Sequence, residues 1–283
     1  MSNDRAADLG GFHPVYCMEL LASRPIDIDE KGFAVDLAAA IGPVTAGTGE
    51  LFRHYFLNEI LIRFKDRVVP GQIMILTGQR GPPSWDVSQS LQQSWHLPAA
   101  EERVAACQES VLLSDFMSST LDHRVRRRAL SAALCAVIDN SNIELVHFVP
   151  TMQFLDANDV LERLSNQEER ANPTCGFLNV RLFRISNVPG EVVMDSLGLS
   201  ALGLSDVQIH FRDLDPNEVA GFLYGIGRYL FEKGDVIEAD HTVEGLSPGE
   251  RWRCRRERSL VPPERVVIDI DPGPGASGRR RDG

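Results

Sequence analysis

A helix with both ends written into the sequence lies in the C-terminal half, and it constrains the local fold more tightly than any other segment. Asp215 stands where its carboxylate can accept from free backbone N–H groups. Pro216 takes the first helical position, where its missing N–H is not needed, and Glu218 completes a capping-box spacing. Gly234 supplies a left-handed stop. Between these ends Val219, Phe222, Leu223, Ile226 and Leu230 recur at the helical period and form one apolar stripe, so Phe222 is expected in the core. Gly221, Gly225 and Gly227 each cost roughly 1 kcal/mol of helix propensity relative to alanine. Their expected role is to let the helix lie close on a sheet.

Strands and helices alternate around this helix. Apolar runs at 15–21, 72–77, 110–117, 144–149, 177–185, 192–194, 207–211, 252–258 and 265–270 read as strands; 30–41, 84–95, 121–140 and 157–164 read as helices. The run at 72–77 is compact and bounded by Pro70, Gly71 and Gly78. Strands outnumber helices and connections are short, which predicts an α+β fold: a mixed or largely antiparallel sheet with helices on its face, arranged as two similar α/β sandwich subdomains. A polar break at 166–174 separates a subdomain at 13–165 from one at 175–271, between a disordered N-terminus at 1–12 and a disordered Pro/Gly-rich tail at 272–283.

The 283 residues carry a formal net charge of -11, which excludes nucleic acid and anionic membranes as main partners. No window supplies the roughly 20 apolar residues of a membrane span, and the polar start has no signal-peptide character, so the expected compartment is the cytoplasm. Arg124, Arg126, Arg127 and Arg128 read as a solvated helix face; Arg251, Arg253, Arg255, Arg256 and Arg258 read as a charged outer strand edge. Five scattered cysteines, with no CxxC pair, exclude a disulfide framework, and Cys17 and Cys135 read as buried thiols.

Motifs for nucleotide, zinc-protease and serine-hydrolase chemistry are absent from the sequence. The segment from Gly198 to Gly203 has the wrong spacing for a nucleophile elbow. Ser200, with Asp195, His210 and His241 as base and orienting groups, is the one set a hydrolase could use. Asp235, Glu238, Asp240 and His241 read as a solvated acidic turn rather than a cation loop, so no metal or cofactor is expected. His147 reads as a strand residue whose ring is satisfied by a backbone group.

The run from Met194 to Gly245 resembles the C-terminal hallmark of the bacterial family catalogued as domain of unknown function 4261, with Ser196 to Gly203, Asp206, Asp240, Thr242 and Gly245 in the characteristic places. Weaker similarity at 81–95 and 110–117 extends the likeness over about residues 13 to 271. The resemblance implies no activity and transfers no functional residue. Together with the acidic balance, it leads to the expectation of a non-enzymatic interaction protein, an immunity or adaptor protein of a toxin or type VI secretion system, which binds a basic protein partner through Glu238, Asp240 and Glu244. The alternative is a hydrolase-like enzyme that uses the serine set.

Overall fold

The computed structural model describes residues 15–49, 52–64, 66–80, 87–165, 173–186 and 188–278. The expectations for residues 1–12, for 81–86, for most of the polar break and for Arg279 to Arg281 lie outside them. The fold is α+β, and the chain divides into two compact units after Phe177.

Among the described residues, the N-terminal unit contains β1 (Cys17–Ala22), α1 (Glu30–Ile41), β2 (Val44–Thr48), β3 (Phe52–Phe64), β4 (Arg67–Arg80), α2 (Ser88–Gln92), α3 (Ala100–Ala106), β5 (Glu109–Phe116), α4 (His123–Asp139), β6 (Leu145–Phe148), β7 (Gln153–Asp156) and α5 (Ala157–Ser165). Its strands form one antiparallel sheet in the order β2-β3-β4-β5-β1-β6-β7. Helices cover both faces. On one, Phe33 of α1 meets Tyr55 of β3 at 4.6 Å, and Arg126 of α4 ion-pairs with Asp115 of β5. On the other, Leu21, Leu145 and Phe154 enclose a cluster with Leu97, Val104 and Cys107.

Local chemistry accounts for these elements. Asp29 caps α1 by accepting from Lys31 N–H, and Phe33, Leu37 and Ile41 form its buried stripe. Asp122 caps α4 in the same way. The arginines that open α4 are not all solvated: Arg126 is buried on Asp115, and Arg127 is buried over the Phe177 ring at 5.3 Å. β4 also runs further than its apolar centre, through Pro70 and Gly71. Pro70 stands opposite Leu61, next to the register shift in β3, where the loss of a ladder donor is tolerated. α2 is five residues long rather than the expected twelve or so, and Trp95 beyond it is 80 % exposed.

The C-terminal unit contains β8 (Asn179–Arg184), β9 (Glu191–Leu197), β10 (Asp206–Arg212), α6 (Pro216–Lys233), β11 (Thr242–Glu244), β12 (Arg251–Arg258) and β13 (Val266–Asp271). Its sheet runs β11-β12-β13-β10-β9-β8, with a parallel pair at β10 and β13. β12 is therefore not an edge. β11 flanks it, and its alternation buries Trp252 and Cys254 while Arg251 and Arg253 face solvent. Residues 272–278 are not a free tail: Ser277 bridges to Phe211, and Arg212 N–H donates to Ala276 C=O.

α6 has the expected ends. Asp215 accepts from Asn217 N–H, and Gly234 closes the helix at φ 87°. Its buried face is Val219, Leu223, Gly227, Leu230 and Phe231, so the stripe is rotated from the one expected. Phe222 is half-buried, edge-on to Trp252 at 4.9 Å. A Cβ on Gly227 would stand 2.7 Å from Leu178 Cδ2, so close approach requires glycine there; Gly221 and Gly225 have open space. Leu223→Ala should therefore destabilise the protein by about 2–5 kcal/mol, more than Phe222→Ala, and Asp215→Ala by about 1 kcal/mol. Urea melts of the three variants check this order.

Candidate functional site

Because side chains alternate along a strand, the register of the C-terminal sheet puts Arg181, Asp195, Gln208, Asp269 and Arg255 in one row across five strands. The opposite face carries Val207, Ile209, Phe211, Ile268 and Ile270, all buried. The polar row is also buried at its centre. Asp195 and Gln208 are 0 % exposed, so each must find partners within the protein.

They find them through an ionic bracket. Arg181 Nε and Nη2 donate to the two Asp195 oxygens at 3.0 and 2.6 Å, and Nη2 also reaches Pro262 C=O. Arg265 Nη2 donates to Asp195 Oδ2 at 2.7 Å, while its Nε donates to Asp206 Oδ2 at 3.0 Å. Burial alone pulls the Arg265 guanidinium down, and the carboxylates of Asp206 and Asp195 outweigh that and push it up. Gln208 donates to Asp269 at 3.0 Å and accepts from Leu260 N–H. Two buried guanidiniums thus meet two buried carboxylates.

Asp206 extends the bracket into the turn between β9 and β10. One oxygen accepts from Leu199 N–H at 3.0 Å and from the Ser196 hydroxyl; the other accepts from the Ser200 hydroxyl at 2.6 Å. Ser196 Oγ in turn accepts from Val207 N–H. Gly203 ends the turn at φ 87°, a conformation side chains avoid.

The four residues of the hydrolase set fall into separate bonds. Asp195 neutralises arginines, and Ser200 donates to Asp206. His210 Nε2 lies 2.9 Å from Glu191 Oε2, and the exposed His241 accepts at Nδ1 from Glu238 N–H. Among the described residues, no imidazole is hydrogen-bonded to Ser200, whose hydroxyl donates to the Asp206 carboxylate instead. The residues expected to bind a partner, Glu238, Asp240 and Glu244, are all exposed. Asp240 pairs with Arg253 at 2.5 Å and Glu244 with Arg251 at 3.9 Å. Asp235, the remaining carboxylate of the acidic turn, pairs with Arg256. Among the described residues, no group of three or more His, Cys, Asp or Glu side chains is placed to hold a metal ion.

The N-terminal unit offers two further features. A cleft of about 530 Å³ lies between the end of α1, the β3 bulge and the start of α4; Ile41, Ile60, Leu61 and Val125 line it, Glu59 stands at its side, and Arg128 donates to Ala40 C=O. Among the described residues, its lining contains no serine, cysteine or histidine. The second feature joins Glu19, Ser90 and His147. The His147 ring is satisfied by these two side chains rather than by backbone, with Nε2 2.8 Å from Ser90 Oγ and Nδ1 3.4 Å from Glu19 Oε2. The sequence carries no short-range signal for this set, because its members are 71 and 57 positions apart and meet only through sheet pairing and helix docking. Burial, with the charges of Glu19 and Asp115, pushes the neighbouring Cys17 thiol up to about 12, so it is a poor nucleophile.

Residues 195–271, within the C-terminal unit, match the family model described as a domain of unknown function (DUF4261). The match runs from Asp195 to the end of β13 and does not extend into the N-terminal unit. No curated protein matches the chain. Within the matched segment, Ser196, Gly203 and Asp206 build the turn and its bracket. Ser200→Ala should accordingly destabilise the protein by about 1.5–3 kcal/mol, the value of a hydrogen bond to a buried charge, rather than leave its stability untouched. Chemical denaturation of the purified variant checks this.

Proposed function

We propose that this chain acts in the cytoplasm by binding another protein, as an immunity or adaptor component of a toxin or secretion system of the type VI kind. The observation that carries the reading is the Ser200 hydroxyl bonded to the Asp206 carboxylate at 2.6 Å, with Asp195 closed between Arg181 and Arg265. In the C-terminal unit, the groups a hydrolase would need are the groups that hold the turn and sheet together. In that unit the surface is the part left to bind a partner.

A net charge of -11 suits a basic partner, since an acidic surface speeds encounter with a cationic one. The loop after α6 is the proposed contact region. Glu238 contributes most of its steering charge there, because Arg253 and Arg251 already offset much of the charge on Asp240 and Glu244. A basic toxin encoded beside this gene is the partner to test. Co-purification with that product, and rescue of growth by co-expression, are the expected results; failure of both overturns the reading. Glu238→Lys should lower kon for that partner, with a larger loss at low salt and an unchanged koff, and should do so more strongly than Asp240→Lys. Stopped-flow association at two salt concentrations measures both.

A further inference from the structure

Glu19 and His147 lie directly opposite each other on β1 and β6, and α2 lays Ser90 over the pair. Carboxylate, imidazole and hydroxyl thus follow one another in the order of a nucleophilic relay. Ser90, His147 and Glu19 are 4, 2 and 1 % exposed, and the His147 ring is stacked on Phe154 at 4.2 Å with an interplanar angle of 16°. The packing fixes the imidazole plane. A Glu19 carboxylate accepts from Nδ1–H, which leaves the Nε2 lone pair to accept the Ser90 hydroxyl proton.

Neighbouring serines show that this arrangement is not the default of the fold. Ser94, one turn further along, donates to Ser90 C=O and accepts from Phe154 N–H; these are the backbone bonds that seat the segment on β7. Ser200 in the other unit meets a carboxylate with no imidazole between them. Ser90 Oγ instead faces an imidazole with a carboxylate behind it. The side chains of the apolar cluster on this face of the sheet are Leu21, Leu145 and Phe154 on the strands and Leu97 beyond α2, with Leu91 packed against them.

We propose that Ser90 and His147, oriented by Glu19, carry out acyl transfer on esters with an apolar acyl group. Ser90 Oγ attacks the ester carbonyl carbon and forms the new C–O bond as its proton passes to His147 Nε2. Glu19 stabilises the imidazolium. His147 then hands that proton to the departing alkoxide oxygen as the ester C–O bond breaks, leaving Ser90 acylated. Water repeats the sequence, releasing the carboxylic acid and returning the proton to Ser90. Ser90 and His147 touch the reacting atoms, while Glu19 is a positioning residue. The reaction is independent of partner binding by the C-terminal unit.

An alkyl fluorophosphonate incubated with the full chain tests this, because a serine activated by a base displaces fluoride from phosphorus and keeps the phosphonate. Peptide mapping should place a single adduct on Ser90, absent in Ser90→Ala. His147→Gln should slow labelling by about 100-fold, the usual contribution of a general base. Glu19→Gln should lower the maximal labelling rate while leaving the half-saturating probe concentration unchanged, a split that a merely structural carboxylate would not produce. An unlabelled Ser90 in the native chain overturns the proposal without recourse to any variant. So does equal labelling of native and His147→Gln protein with the same melting temperature.

Discussion

Arg265 stands between two carboxylates on neighbouring strands, with no exposed surface, and the C-terminal unit is arranged around that contact. A guanidinium with five donors in a fixed fork can be buried only where acceptors already surround it. Asp195 of β9 and Asp206 of β10 supply two, and Ser196 C=O and Pro263 C=O supply others. The same contact places the loop that precedes β13, so that Pro262 C=O meets Arg181 and Leu260 N–H meets Gln208. The turn between β9 and β10 and the cover over the polar face are both tied to one ionic arrangement. This accounts for the Ser, Gly and Asp residues between Ser196 and Asp206. Asp206 needs short donors around it, and the turn needs glycine where φ is positive.

Much of the architecture was legible in the sequence because it depends on local chemistry. The caps at Asp215 and Gly234 and the periodicity of 30–41 specify their helices without reference to anything distant. What was not legible depends on distant contact. The hairpin of β2 and β3 lacks the clean bounded apolar run that marks β4, and the helix opened by Arg124 reads as solvated because Asp115, its acidic partner, lies on another element. The rotation of α6 is set by Leu178, which approaches Gly227 and turns Phe222 toward Trp252. No periodicity within a helix contains that information.

The site was legible to a lesser degree. Asp195, Ser200 and His210 each meet a different partner, and their sequence could not distinguish a hydroxyl facing a carboxylate from one facing an imidazole. That distinction decides the chemistry. In the C-terminal unit the polar groups meet as charge and countercharge and stabilise a fold; in the N-terminal unit Glu19, His147 and Ser90 meet in an order that can move a proton. The first arrangement accords with a binding role for the surface around Glu238, and the second gives the other unit its own chemistry.

Asp206 and Arg265 act as one unit, and a double-mutant cycle on stability measures their coupling. Asp206→Asn and Arg265→Met should each cost about 3–5 kcal/mol, because each leaves an uncompensated buried charge. The double variant should cost less than the sum of the two by about 1–3 kcal/mol, the range of coupling between residues in one network. Losses that add would instead mean that the two residues stabilise the sheet independently rather than through each other.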